Sequence, residues 1–255
     1  MWSPEELEAR INQTVEWLRE RVQEAHAQGL VIGVSGGVDS AVVAGLSKRA
    51  FPDNSVGVVL PAGSNSVDRE DALLTTTTLS LPTMEVDLTH AHQDILASVK
   101  AALSVQGYTF EEKLSQGNLK ARLRMAALYT VANALNYLVV GTDNAPESYT
   151  GYFTKYGDGG VDILPLASLT KAEVRAWAAQ LGLPDKIVNR VPTAGLWEGQ
   201  TDEQEMGVTY ELIDRYLLGK EVPEAIQTKI EDMHHRSEHK RQVPPALALP
   251  KLTEL

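Results

Sequence analysis

Six consecutive residues, Ser35-Gly36-Gly37-Val38-Asp39-Ser40, carry the most specific chemistry in this 255-residue chain. They follow an apolar run, Leu30-Val31-Ile32-Gly33-Val34, and precede a helical pattern from Ala41 to Ala50, the context in which a loop can present its backbone to an anion. Adjacent glycines permit positive φ and close approach, so successive N–H groups and the next helix's N-terminus can face a pyrophosphate, with Ser35 and Ser40 as added hydroxyl donors. A carboxylate here, Asp39, would repel phosphate unless both share a divalent cation, which makes Asp39 a candidate Mg²⁺ ligand. A plain strand-to-helix turn with a serine cap is the weaker reading of a full six-residue match in this setting. The chain has no Gly-x-x-x-x-Gly-Lys-Ser/Thr, so this is not the phosphate loop of β–γ cleaving enzymes.

Other segments are ambiguous taken singly. Gly117 to Met125 opens a helix with cations and reads equally as a solvated basic face. Gly141 to Glu147 follows a strand pattern and reads equally as a helix-capping turn. Phe153 to Asp162 packs aromatics, glycines, a lysine and two acids into ten residues, suited to a shaped binding loop or to a hairpin. His234, His235 and His239 lack the partners of a zinc set.

The elements that must position these residues alternate. Ser3, Pro4 and Glu6 form a capping box ahead of Leu7, Ile11, Val15, Leu18 and Val22 at helical spacing, which predicts a helix over 4–27. Strands are expected at Leu30–Val34, Val56–Leu60 and Tyr137–Val140, with helices at Ala41–Ala50, Arg69–Leu79, Ile95–Leu103 and Leu119–Leu135. Thr170 and Glu173 open a later helix that Gly182 stops. The expected fold is α/β, a doubly wound, mostly parallel sheet flanked by helices, which binds ligands at the carboxyl ends of its strands. No linker divides the chain, so 1–255 is expected to be one domain, with a polar, mobile loop over Arg190 to Gly207 and a helical appendage over 209–255.

Composition excludes several functions. With no cysteine there is no disulfide, thiolate metal site or cysteine nucleophile from this chain. A net charge of −11 argues against nucleic acid and anionic membrane as partners. The acidic start, Met1-Trp2-Ser3-Pro4-Glu5-Glu6, and the lack of an apolar run near the roughly 18 residues of a membrane span predict a cytoplasmic protein.

The motif Ser35 to Ser40 resembles the PP-loop family, whose members cleave ATP between its α- and β-phosphates. With Gly141 to Glu147, Phe153 to Asp162, Leu164-Pro165-Leu166, Leu169-Thr170-Lys171, Pro192 to Trp197, Gln200 to Glu203 and Glu238 to Arg241, in the same order, the chain closely resembles the NAD synthetase family over nearly its whole length. The resemblance implies that Gly33, Val34, Ser35, Gly36, Gly37, Val38, Asp39 and Ser40 cradle ATP phosphates, that Thr142, Lys171 and Thr193 contact ATP, and that Asp39 and Glu147 bind Mg²⁺. It implies that Arg122, Lys155, Asp162, His239 and Lys240 hold deamido-NAD. The implied reaction is ATP-dependent amidation of deamido-NAD with ammonia through an acyl-adenylate, in a homodimer, with the N-terminal helix as a candidate interface. Leu60 to Ser66 departs from the family pattern, and Val38 stands where many relatives have Gln. The alternatives are another PP-loop adenylating ligase and a non-catalytic nucleotide-binding relative.

Overall fold

A computed structural model describes residues 2–247 except 64, 194, 196–198 and 200. Four strands, β1 (Gly29–Gly33), β2 (Ser55–Val59), β3 (Thr83–Glu85) and β4 (Tyr137–Val140), form a sheet of order β3-β2-β1-β4 in which every pairing is parallel. Helices α1 (Pro4–Glu24), α2 (Val38–Ala50), α3 (Ser66–Thr78), α4 (Thr89–Val105) and α5 (Glu112–Leu135) belong to the first part of the chain. After β4 come α6 (Ala145–Thr150), α7 (Lys171–Gln180), α8 (Asp185–Val188), α9 (Asp202–Met206), α10 (Tyr210–Leu217), α11 (Glu224–Arg236) and α12 (Glu238–Arg241).

The two-residue period of a strand assigns the core. Leu30 and Ile32 of β1 point to one face and pack with Ile11, Val15 and Leu18 of α1, Val42 and Leu46 of α2, and Val174 and Trp177 of α7. Val31 points to the other face and packs with Val58, Val139 and Ala132, backed by Leu128 and Leu135 of α5. Each fully buried large side chain contributes about 1.5–3 kcal/mol. A third cluster, Met206, Val208, Tyr210, Ile213 and Ile230, joins the C-terminal helices to Tyr149 of α6.

Several boundaries differ from the sequence expectation. The capping box at Ser3 is present, but α1 ends at Glu24 rather than continuing to 27. Helix α2 starts at Val38, three residues early, so Asp39 and Ser40 lie in its first turn. Strand β3 has only three residues, all exposed, and so lacks an apolar pattern. The 153–162 segment is no hairpin: Gly157 N donates to Thr154 O at 2.9 Å and Thr154 N to Asp158 Oδ1 at 2.8 Å, closing a turn-rich loop. The stretch expected to be a polar loop contains α9, while Leu196, Trp197 and Gln200, like Ser64 of the 60–66 segment, lie outside the described residues. Among the described residues no helix is long and apolar enough to cross a membrane.

Candidate active site

Strand β1 has β2 on one side and β4 on the other, so the strand order reverses at β1/β4, and the crevice beyond their carboxyl ends is where an open α/β sheet binds ligands. The segments leaving these two strands line one pocket there, through Val34, Ser35 and Gly37 on one side and Gly141, Thr142 and Asp143 on the other. Gly36 takes φ +85°, and a β-carbon on it would lie 2.5 Å from Asp68 O, so only glycine fits. Gly37 is the N-cap of α2 and leaves the helix's first N–H groups without a side-chain cap. Ser40 Oγ donates to Gly37 O at 3.0 Å and accepts from Ser35 N at 3.2 Å, while Gly37 N donates to Ser35 Oγ at 3.3 Å. The two serines therefore brace the loop, and a phosphate oxygen reaching Gly37 N displaces Ser35 Oγ.

The first turn of α2 aims Asp39 at two other elements. Its Oδ2 accepts from Lys171 Nζ at 2.6 Å and its Oδ1 from Asn144 Nδ2 at 2.8 Å. Lys171 Nζ also donates to Glu147 Oε1 at 3.1 Å. Each partner is held by local chemistry. Asn144 and Glu147 form a capping box that starts α6 behind Pro146, and Lys171 is the first residue of α7, whose opening amides, Lys171 N and Ala172 N, donate to Asp214 at 3.0 and 3.1 Å. Burial alone would depress Lys171, but Asp39 and Glu147 outweigh it and hold its ammonium above the usual lysine range. Burial pushes Glu147 up to about 7, against the opposing pull of Lys171. Asp143, buried beside them, is raised by desolvation and by the neighbouring carboxylates Asp158, Glu147 and Asp39.

Residues without a local motif complete the cluster. Tyr210 OH lies 2.8 Å from Glu147 Oε1 and 3.0 Å from Asp202 Oδ2, and its ring faces Lys171 Nζ at 4.5 Å. Tyr152 OH reaches Glu205 Oε2 at 2.7 Å and Asp202 Oδ1 at 3.3 Å. Arg190 and Arg124 also line the pocket. Tyr210, Arg190 and Asp214 were not singled out from the sequence, since each meets partners across the fold, and Asp202 entered only as part of the acidic Gln200 to Glu203 segment. Asn144 was legible as a cap but not as a partner of Asp39.

The residues implied to contact ATP converge: Gly33 to Ser40 except Gly36, together with Thr142, Lys171, Thr193 and Glu147, line the one pocket, and Gly36 lies beneath its loop against Arg190. Those implied to hold deamido-NAD do not line it. Lys155 O accepts from Arg122 Nε and NH2 at 3.4 and 3.3 Å, Lys155 Nζ donates to His239 O, and Lys240 Nζ donates to Gly151 O and Phe153 O at 2.8 and 2.7 Å. These four tie α5, the 151–158 loop and α12 into a second cluster. Asp162 stands apart, accepting from Val139 N at 2.7 Å and Tyr129 OH at 2.9 Å at the edge of β4.

Six acidic residues (Asp39, Asp68, Asp143, Glu147, Asp158, Asp202) and four cations (Arg69, Arg124, Lys171, Arg190) line the pocket, and burial raises Asp143, Glu147 and Asp158 toward their neutral forms. Asp39 and Glu147 converge on one cation position, taken by the Lys171 ammonium. Two carboxylates suit Mg²⁺, which completes its shell with water and substrate phosphates, and among the described residues no group of three or more His, Asp or Glu is arranged for a tighter-held metal.

The parallel sheet with a Ser-Gly-Gly-x-Asp-Ser loop at its switch point defines a PP-loop-type nucleotide-binding α/β protein. Comparison with known proteins narrows the class. Residues 10–244 match the family model described as NAD synthase, and the chain belongs to that family. It is 54% identical over 242 residues to the NH(3)-dependent NAD(+) synthetase of Alkaliphilus oremlandii, covering 94% of this chain and 97% of that protein. Among solved structures it resembles NMN synthetase from Francisella tularensis (TM-score 0.89, 39% identity, covering 98% of this chain and 100% of that one). It also resembles the NH3-dependent NAD synthetase of Campylobacter jejuni in complex with nitrate (TM-score 0.75, 29% identity, covering 95% and 99%).

Proposed function

We propose that this chain is an ammonia-dependent NAD synthetase that amidates deamido-NAD at the expense of ATP, giving NAD, AMP and pyrophosphate. The observation that carries the reading is the junction of the glycine loop with Asp39, Lys171 and Glu147 at the switch point of the sheet. Gly33 to Ser40, Thr142 and Thr193 hold ATP with its triphosphate against the loop and the N-terminus of α2. The nicotinate carboxylate attacks the α-phosphorus and expels pyrophosphate; ammonia then attacks the acyl-adenylate and AMP leaves. A free carboxylate would have to lose oxide, so adenylation supplies the leaving group. Lys171 neutralises charge developing on the phosphates, and the loop amides fix their direction. Asp39 and Glu147 would hold Mg²⁺, which would supply neutralisation of phosphate charge, in place of or beside the Lys171 ammonium that they now share.

Arg122, Lys155, Asp162, His239 and Lys240 form the deamido-NAD side of the site in a homodimer. The apolar stripe of α1, the candidate interface element, packs into the core and its outward face is charged, so any contact α1 makes with a second copy is polar. Helix α4 buries only His92, and Ile95, Val99 and Val105 lie on its exposed surface, with Leu114 nearby in sequence on α5. A second copy covers that face. Sedimentation of wild type and Val99→Asp tests this: a dimer that becomes a monomer supports the interface, and an unchanged dimer places it elsewhere.

The likeness to NMN synthetase favours a second reading, in which the acceptor is the acid mononucleotide and the product is NMN. The deciding experiment supplies ATP, Mg²⁺ and ammonium with either deamido-NAD or nicotinate mononucleotide. A higher kcat/KM for deamido-NAD, with stoichiometric AMP and pyrophosphate, supports the first reading. A higher value for the mononucleotide supports the second, and no turnover of either rejects both.

A further inference from the structure

Arg190, two residues beyond α8, reaches the phosphate loop from the segment that also supplies Thr193 to the pocket. Its NH1 donates to Gly36 O at 2.9 Å and pairs with Asp71 Oδ2 at 2.9 Å, while NH2 pairs with Asp68 Oδ1. Asp71 is only 2% exposed and is also paired with Lys186. Burying a carboxylate is costly unless it is matched by cations, so the first turns of α3 are arranged around a fixed guanidinium. The fit leaves no slack: a β-carbon on Gly36 would lie 2.7 Å from Arg190 NH1. Lys171 approaches the loop through Asp39, and Arg190 approaches it through the Gly36 carbonyl.

Resting on the reading of this loop as an ATP site, we propose that Arg190 acts beside Lys171 as a phosphate-binding cation and binds the pyrophosphate end of the nucleotide. Asp68 and Asp71 act as its positioning residues. The three contacts occupy three of the five N–H donors of a guanidinium, and the planar fork suits a phosphate. By gripping Gly36 O it also holds the positive φ that directs the loop amides, and three residues later the same segment supplies Thr193. Arg190 thus couples loop geometry to the charge of the leaving group.

The test uses the full chain as Arg190→Gln and Arg190→Lys, with KM for ATP, KM for deamido-NAD, product inhibition by magnesium pyrophosphate, and thermal midpoint measured for each. Loss of a charge-assisted contact predicts that Arg190→Gln raises both KM for ATP and the pyrophosphate inhibition constant about 10- to 100-fold, with KM for deamido-NAD within about threefold. Arg190→Lys restores part of both. Unchanged ATP and pyrophosphate constants in Arg190→Gln would overturn the assignment, as would an equal rise in both substrates' KM with a lowered midpoint. Absence of ATP-dependent turnover in wild type would instead defeat the underlying reading. Calorimetric binding of magnesium pyrophosphate then judges Arg190 by itself: equal affinity in wild type and Arg190→Gln rejects it.

Discussion

The ammonium of Lys171 lies 2.6 Å from the carboxylate of Asp39, joining the first residue of α7 to the first turn of α2 across 132 positions of sequence. Glu147 completes the triad from α6, and all three side chains are largely withdrawn from water.

Removing the cation alone leaves two buried carboxylates uncompensated. Lys171→Met is expected to cost roughly 3–5 kcal/mol in urea unfolding, and the triple variant Lys171→Met/Asp39→Asn/Glu147→Gln to recover much of it, because the cost is that of unpaired charge. A triple variant no more stable than the single one would show that the triad is held by packing.

Tyr210 brings one hydroxyl hydrogen to two carboxylate oxygens, one on Glu147 and one on Asp202. Tyr210→Phe keeps the ring in its apolar cluster and removes only that donor, so a loss of about 1–3 kcal/mol is expected. The accompanying change should be weaker Mg²⁺-dependent ATP binding by calorimetry, since Glu147 loses its orientation. Wild-type stability together with wild-type ATP affinity would remove Tyr210 from the site.

Gly36→Ala sets a β-carbon against Asp68 O and Arg190 at a φ of +85°. Backbone strain of about 1–3 kcal/mol is expected, with ATP binding lost more completely than stability.

His92 is the buried residue of α4, with Nε2 3.3 Å from Gln116 O. Burial lowers its pKa below 6.5, the Gln116 carbonyl opposes this, and Lys120 and Arg124 add to the lowering. The neutral ring therefore stabilises the fold above pH 6.5, and that contribution is lost as pH falls through the folded-state value. Thermal midpoints between pH 7.5 and 5 should fall more steeply for wild type than for His92→Gln. Parallel profiles would show that His92 carries no such linkage.

Much of this molecule is written locally. Apolar runs of four or five residues bounded by turns marked β1, β2 and β4, and the capping boxes at Ser3 and Thr170 marked the starts of α1 and α7, because these patterns depend on neighbours within one turn or one strand. The six-residue loop was equally legible, since its chemistry lies in the backbone between one strand and one helix. Strand β3 was not, having three exposed residues held by pairing with β2.

What the order of residues determined by itself was therefore the α/β class, the phosphate loop and a set of candidate polar residues. The tertiary structure alone decided what these residues meet: Asp39 and Glu147 share Lys171, and Tyr210 and Arg190, unmarked in the sequence, reach Glu147 and Gly36. It also separated Arg122, Lys155, His239 and Lys240 into a cluster outside the pocket. The reason is physical: charge pairing and desolvation act through space, and a parallel sheet brings the ends of distant strands together at one crevice.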